Sequence, residues 1–254
     1  MEIRWTYAFL DRPADAFPAA CDFWTKATGT RLSAFRGDQD EFTTLLAPQG
    51  DAHVKVQALQ AAGDIGGTHL DLSVEDVEAE TEAALGLGAG PTHQEPGFSV
   101  LRSPGGFQFC LVEWHGEVER VQVFKDPAGA HSRLDQVCLD VAPESLETEL
   151  EFWRAMTGWA LVQSSLPQFH VLKPPAGMPV RILIQRLDPE GAASRPPVVT
   201  GHVDIACGED VDAVAAFHES LGAEKVARHA GWAVMRDPAG SVYCLTARDP
   251  ETGR

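Results

Sequence analysis

The sequence lacks long hydrophobic runs and is poor in basic residues, and both features exclude classes of partner. No stretch reaches the roughly 18 consecutive apolar residues of a membrane-spanning helix, so we expect no membrane span. The 254 residues include 20 lysines and arginines against 37 acidic residues, which gives a formal net charge of −17. So acidic a surface repels phosphate backbones and anionic lipids, and we expect neither nucleic acid nor a membrane surface as a partner.

Cysteine is scarce and forms no motif. The chain has five cysteines, an odd number, and no Cys-x-x-Cys pair, which argues against a disulfide framework and a cysteine-based zinc site. Reduced thiols are typical of the cytoplasm, so we expect a cytoplasmic protein. No Gly-x-Gly-x-x-Gly fingerprint follows a predicted strand, so we expect no dinucleotide site.

An internal repeat organises the chain. The motif Phe-Trp-x-x-x-Thr-Gly at 23–29 returns at 152–158, and the motif His-x-Asp at 69–71 returns at 202–204. Further landmarks repeat in the same order, so the chain is interpreted as two homologous halves. The repeat predicts two domains joined by a linker, with the boundaries 1–116, 117–132 and 133–254.

Each half divides into two modules of one pattern. Apolar residues recur at i, i+3, i+4 and i+7 four times, which predicts four amphipathic helices with Trp24 and Trp153 in the core. Each helix follows a strand of alternating polarity and precedes β-rich runs, so the pattern is β-α-β-β-β and the fold class is α+β. The strands before the helices are predicted at 3–9, 68–74, 134–141 and 202–207. The second half is about five residues longer, and the Pro-containing loop 189–197 is the expected place for them.

These motifs together resemble the vicinal oxygen chelate superfamily, which includes glyoxalases, extradiol dioxygenases and bleomycin-resistance proteins. The resemblance rests on the Phe-Trp-x-x-x-Thr-Gly helix end, the His-Leu-Asp-Leu strand and the Asp-Pro-x-Gly hairpin, and it covers nearly the whole chain. It implies two tandem glyoxalase-like domains, in each of which paired modules form a curled mixed sheet around a cleft with the helices outside. The superfamily hosts several chemistries and some pure binders, so the resemblance does not fix a reaction.

The resemblance also assigns cleft positions. Metal-using members bind one divalent ion with four inward side chains, commonly histidine, glutamine and glutamate, from the first and last strands of paired modules. The matching positions in this chain are Trp5, His69, Gln57 and Cys110 in the first half and Gln136, His202, Gln185 and Cys244 in the second. The chelating glutamates are absent, and hard divalent ions prefer anionic oxygen and imidazole. The residues therefore favour a cleft without the divalent metal, and no metal ligand is assigned. The predicted ligand-binding residues of the clefts are Trp5, Gln57, Cys110, Gln136, Gln185 and Cys244. Cys110 and Cys244 are interpreted there as small buried residues and not as nucleophiles.

The His-x-Asp pairs are the sharper candidates for catalysis. Residues i and i+2 of a strand share a face, so His69 and Asp71 point the same way, as do His202 and Asp204. Such a pair can tune an imidazole for general-base work or supply a metal ligand and its neighbour. In the alternative interpretation, the carboxylates bond local backbone or arginine and the histidines only line the pocket.

Two functions of different classes stay open. The first is a protein that binds a small apolar or aromatic organic molecule in its cleft without metal, as drug-sequestering members of the superfamily do. The second is a lyase, isomerase or dioxygenase that works through the His-x-Asp pairs, with or without a divalent metal. In a third interpretation one half is degenerate, and Trp5 makes the first half the better candidate. We expect a monomer with pseudo-twofold halves or a homodimer, and the sequence leaves the pairing of modules open.

Overall fold

Four modules of the predicted β-α-β-β-β pattern build the chain. The computed structural model describes residues 2–60, 67–188 and 199–253, and the loop 189–197 lies outside them. The first half comprises β1 (Trp5–Pro13), α1 (Phe17–Thr28), β2 (Arg31–Leu32), β3 (Phe42–Leu46), β4 (Val54–Leu59), β5 (Gly67–Val74), α2 (Val77–Gly86), β6 (Gly90–Glu95), β7 (Phe98–Arg102) and β8 (Gln108–Glu113). The second half, with one short strand before it, comprises β9 (Phe124–Lys125), β10 (His131–Val141), α3 (Leu146–Thr157), β11 (Ala160–Gln163), β12 (Phe169–Lys173), β13 (Arg181–Arg186), β14 (Thr200–Ala206), α4 (Val211–Ser220), β15 (Glu224–Arg228), β16 (Trp232–Arg236) and β17 (Val242–Thr246).

The strands form two mixed sheets that repeat one order. The first sheet has eight strands in the order β2-β3-β4-β1-β5-β8-β7-β6. The second has the order β11-β12-β13-β10-β14-β17-β16-β15, with β9 paired to β10. Neighbours such as β1 and β4, or β14 and β17, are parallel, whereas hairpin partners such as β16 and β17 are antiparallel. The α+β fold of two repeats, predicted from the sequence, is confirmed by this repeated strand order.

Two strands are longer than the sequence predicts. The alternation predicts an end at Phe9, but β1 continues to Pro13 because it pairs in parallel with β4 over this stretch. The second strand, β10, begins at His131 rather than Leu134, because its first residues pair with β9. The turn between β9 and β10 begins at Asp126, whose Oδ1 accepts two backbone N–H groups. Both differences arise from strand pairing, which local polarity does not reveal.

Residue contacts divide the chain into two compact units, and each unit combines modules from both halves. Unit 1 comprises Met1–Tyr7, His69–Val118 and Val137–Gly201. Unit 2 comprises Ala8–Thr68, Glu119–Gln136 and His202–Arg254. The second and third modules thus belong mainly to unit 1, and the first and fourth mainly to unit 2. The domain boundaries at 1–116 and 133–254 stay a prediction.

In unit 2 the helix tryptophan of the repeat is buried and hydrogen-bonded. Trp24 is fully buried, and its indole Nε1 donates to Asp237 Oδ2 at 3.0 Å. The same oxygen accepts from Arg12 Nε at 2.8 Å, in an ion pair whose side chains are 1% and 0% exposed. Asp237 Oδ1 accepts the backbone N–H groups of Ala239 and Ser241 and so closes the predicted Asp-Pro-Ala-Gly turn. One buried carboxylate therefore joins α1, β1 and the last hairpin of unit 2.

Unit 1 repeats the arrangement with a different carboxylate. Trp153 is fully buried, and its indole Nε1 donates to Glu149 Oε2 at 2.8 Å. Gly105, in the Ser-Pro-Gly-Gly turn, donates its backbone N–H to Glu149 Oε1 at 2.6 Å. Burial raises the pKa of Glu149, although these hydrogen bonds and one from Ser103 act in the opposite direction. The predicted core positions of Trp24 and Trp153 are confirmed, whereas their carboxylate partners were not predicted.

All five cysteines lie in the described part of the chain, are buried and form no disulfide, as their odd number and spacing predict. Among the helices of the described residues, none combines the length and the apolar character needed to cross a membrane.

Candidate functional site

The second His-x-Asp motif lies on β14, within unit 2, and brings three donor atoms together. His202 Nε2 lies 3.3 Å from Asp204 Oδ1, as expected for side chains on one face of a strand. The neighbouring β17 runs parallel, and its register sets Cys244 opposite Asp204. Cys244 Sγ consequently lies 3.6 Å from His202 Nε2. These contacts unite two predicted catalytic residues with a predicted ligand-binding residue.

Gln136 on β10 completes this group, which we call the second-repeat cluster (Gln136, His202, Asp204 and Cys244). The Gln136 side-chain amide Nε2 donates a short hydrogen bond to Asp204 Oδ2. Gln136 is 1% exposed and Asp204 is 3% exposed, whereas the His202 side chain keeps 12% of its surface exposed. The Gln136 amide therefore holds the Asp204 carboxylate in place. The His202 imidazole is more accessible than that carboxylate.

The first His-x-Asp motif forms a similar group in unit 1, the first-repeat cluster (His69, Asp71 and Cys110). His69 Nε2 lies 3.6 Å from Asp71 Oδ1, and the parallel pairing of β5 with β8 sets Cys110 opposite Asp71. One donor atom from each of the three side chains lies within 4.8 Å of the others. The side chains of His69 and Asp71 are only 5% and 3% exposed, so this cluster is more enclosed than its counterpart.

The geometry of the second-repeat cluster does not match an activated cysteine nucleophile. In a catalytic triad the imidazole uses one nitrogen toward the nucleophile and the other toward the carboxylate. Here the same atom, His202 Nε2, is the one that approaches both Cys244 Sγ and Asp204 Oδ1. The three donor atoms lie within 4.8 Å of one another instead of forming a relay.

The close spacing of these three donor atoms allows us to ask whether they could hold the divalent metal that the resemblance to the superfamily implies. A tetrahedral zinc ion, with nitrogen and oxygen at about 2.0–2.1 Å and sulfur at about 2.3 Å, keeps its donor atoms roughly 3.3–3.8 Å apart. The separations of 3.3 and 3.6 Å around His202 Nε2 fall in that range. One imidazole, one carboxylate and one thiolate fit a small ion of the zinc type and leave a fourth position open. They do not supply the many oxygen ligands of a calcium-type site.

The remaining predicted site residues, Trp5, Gln57 and Gln185, belong to neither of the two clusters. Trp5 lies in unit 1 and is 1% exposed. Gln57 belongs to unit 2, whereas His69, with which the sequence groups it, belongs to unit 1. Gln185 belongs to unit 1, where its Oε1 accepts a weak hydrogen bond from Cys138 Sγ at 3.7 Å. The structure thus assembles the His-x-Asp pairs with the cysteines and with Gln136.

Unit 2 also contains a cavity of about 180 Å³, and none of the predicted site residues lines it. Its walls come from the end of α1, the segment before β4, the linker and the start of β10. His53, 5% exposed, lines the cavity, and its Nε2 lies 2.8 Å from the carbonyl oxygen of Leu134. Burial lowers the pKa of His53 to about 4, although the Leu134 carbonyl acts to raise it. His53 is a lone histidine in a connecting segment and belongs to no motif, so no sequence pattern could have predicted it.

Comparison with known proteins identifies the fold of both halves. The family model described as "Glyoxalase-like domain" matches residues 7–112 and 136–246. No curated protein matches the sequence significantly.

Solved structures resemble the chain over nearly its whole length. The Mn(II)-bound glyoxalase from Novosphingobium aromaticivorans has a TM-score of 0.65 at 16% identity and covers 100% of this chain and 85% of its own. The 2,2',3-trihydroxybiphenyl 1,2-dioxygenase from Sphingomonas wittichii strain RW1 has a TM-score of 0.62 at 14% identity, covering 100% and 95%. A xylose isomerase-like TIM barrel/4-hydroxyphenylpyruvate dioxygenase fusion protein has a TM-score of 0.59 at 15% identity, and the match spans 96% of this chain but 48% of the fusion. Likeness at such low identity establishes the fold and leaves the reaction open.

Proposed function

Because the chain belongs to the glyoxalase-like domain family, with matches in both halves, we propose that it binds a small organic molecule, apolar or aromatic, at the second-repeat cluster. In this proposal the binding does not depend on the family's divalent metal. His202 is the residue that meets the polar group of the ligand, and Gln136 and Asp204 hold its surroundings in place.

One observation carries the proposal: the Gln136 amide holds the buried Asp204 carboxylate, and the His202 imidazole is the most exposed side chain of the cluster. The carboxylate of Asp204 is buried and accepts from the Gln136 amide, while the His202 side chain is 12% exposed. A preorganised polar group of this kind fixes the orientation of a ligand whose remaining surface is apolar. The Cys244 thiol stands where chelating members of the superfamily have glutamate, so the superfamily's usual donor set is incomplete here, which supports binding that does not depend on its metal.

The test is ligand binding to chelator-treated protein, measured by calorimetry with catechol and biphenyl-2,3-diol as probes. We expect His202→Ala to weaken binding roughly 10-fold, because the ligand's polar group loses its partner. His69→Ala is the matched control, since it removes the corresponding imidazole of the enclosed first-repeat cluster and should leave binding unchanged. Binding that appears only after addition of a divalent metal, or saturable binding by neither probe, would contradict the proposal.

A second candidate function is an enzyme, a lyase, isomerase or dioxygenase, and the convergence of donor atoms at His202 favours it. His202, Asp204 and Cys244 would hold a divalent ion, which supplies Lewis-acid polarisation of a substrate oxygen. The chain's own contribution would be the hydrogen bond by which Gln136 orients the Asp204 carboxylate. The corresponding test is titration with Co²⁺, in which thiolate coordination gives a near-ultraviolet charge-transfer band. We expect a Cys244→Ser variant to lose that band if this function is correct, and a titration without the band refutes it.

A further inference from the structure

The cavity of unit 2 has the size and the walls of a site for a single-ring molecule. Its apolar lining includes Leu45, Val54, Phe124, Leu134 and Ile205. Engineered apolar cavities of about 150 Å³ bind benzene, and this one measures about 180 Å³. The walls can therefore hold one substituted aromatic ring.

His53 lines this apolar space and carries a hydrogen-bond acceptor that no described residue satisfies. A carbonyl oxygen can only accept, so the bond from His53 Nε2 to Leu134 O places the imidazole proton on Nε2. The other ring nitrogen, Nδ1, then carries a lone pair. It is buried and has no hydrogen-bond partner among the described residues. A buried acceptor left without a donor is unfavourable, and a ligand with a hydroxyl group would satisfy it.

The charged residues that line the cavity also favour a ligand with a hydroxyl group. Arg133 and Lys125 line the cavity, and its lining residues in the described part of the chain include no carboxylate, although the protein's net charge is −17. Arg133 is 8% exposed, and its guanidinium donates to the carbonyl oxygens of Val121 and Glu251. Cationic walls favour an electron-rich oxygen on the ligand. A phenolic hydroxyl combines such an oxygen with a strong donor proton.

We propose that unit 2 contains a small-molecule site for single-ring phenols, in which the phenol hydroxyl donates to His53 Nδ1 and the ring packs against the apolar walls. This site shares no residue with the second-repeat cluster and does not depend on the function proposed above. The hydroxyl is the group that sets specificity, since an apolar ring alone leaves His53 Nδ1 without a donor.

The experiment compares phenol with toluene, in which a methyl group replaces the hydroxyl. Calorimetry on the wild-type chain should give phenol roughly 10-fold tighter binding than toluene. His53→Phe keeps an aromatic ring at this position but removes the acceptor, so the preference for phenol should disappear. His93→Ala removes a 53% exposed imidazole outside both sites and should leave phenol binding unchanged.

A second measurement keeps the test independent of whether the variants fold. In the wild-type chain labelled with ¹⁵N histidine, phenol should shift the Nδ1 resonance of His53, whereas toluene should leave it in place. Equal affinities for phenol and toluene, or an unshifted His53 Nδ1 resonance at saturating phenol, would overturn the proposal. Loss of phenol binding in His202→Ala but not in His53→Phe would also overturn it and would instead assign phenol to the second-repeat cluster.

Discussion

Acidification to pH 5 is expected to destabilise the folded chain through two buried histidines of unit 2. Burial lowers the pKa of His53 to about 4; the Leu134 carbonyl and Asp135 act to raise it, and Arg133 and Arg120 to lower it further. Burial likewise lowers the pKa of His218 to about 4, opposed by the Ala27 carbonyl and by Asp126. His218 is fully buried, with Nδ1 2.9 Å from the Tyr243 hydroxyl. Both imidazoles are therefore neutral in the folded state at pH 5.

The direction and size of the effect follow from the difference between folded and unfolded chains. An unfolded histidine has a pKa of about 6.5, so between pH 6.5 and 4 the unfolded chain binds more protons and the free energy of unfolding falls as the pH falls. At about 1.36 kcal/mol per pKa unit, each histidine accounts for a loss of about 2 kcal/mol at pH 5 and about 3 kcal/mol at pH 4. Below about pH 4 the contribution levels off, because the folded histidines then protonate too. Two such losses are a large share of the 5–15 kcal/mol that stabilises typical proteins.

The assay is urea unfolding followed by tryptophan fluorescence at pH 7 and pH 5. The wild-type chain should lose about 4 kcal/mol from its two histidines over this interval, and His53→Phe only about half as much. His93→Ala is the matched control, because the His93 side chain is 53% exposed and its removal should leave the pH dependence unchanged. A His53→Phe variant with the full wild-type pH dependence would refute the reasoning, as would a wild-type chain equally stable at both pH values.

Three further predictions concern single side chains, each measured against the wild type. Asp237→Ala should cost about 3–5 kcal/mol in urea unfolding because it leaves the Arg12 guanidinium buried without its ion-pair partner, and a loss under 1 kcal/mol would contradict this. Gly105→Ala should cost about 1–3 kcal/mol because its Cβ would lie 2.5 Å from Val199 Cγ2, whereas Gly90→Ala, with nothing within 4 Å, should be nearly neutral; equal costs would refute the steric argument. Burial raises the pKa of the Cys21 thiol to about 11, so iodoacetamide at pH 8 should alkylate Cys21 only after unfolding, as mass spectrometry can determine; rapid alkylation of the folded chain would disprove it.

Periodicity and the repeat were enough to predict most of the local structure. The predicted apolar stripe falls on α1, and the strand predicted at 68–74 is β5, Gly67–Val74. The His-x-Asp spacing also predicted correctly that His202 and Asp204 share a face, because that relation depends only on the two-residue period of a strand.

The interactions that the sequence did not reveal join residues far apart in the chain. Arg12 lies beyond the predicted end of β1 and pairs with Asp237, 225 residues later. No local sequence pattern therefore predicts this ion pair. The position of Cys244 beside His202 depends on the register of β17 with β14, which hydrophobic alternation does not fix. His53 acquires its surroundings from the linker and from β10, and its own neighbours in sequence give no sign of a cavity.

The grouping of modules into compact units has a consequence for dissecting the chain. Because each unit contains a module from each half, a cut in the linker divides the contacts within both units and leaves neither half with a complete one. Halves produced separately should therefore be poorly folded alone and should recover structure when mixed. The duplicated halves are in this sense mutual folding partners, and a substitution in one half can be compensated by a change in the other.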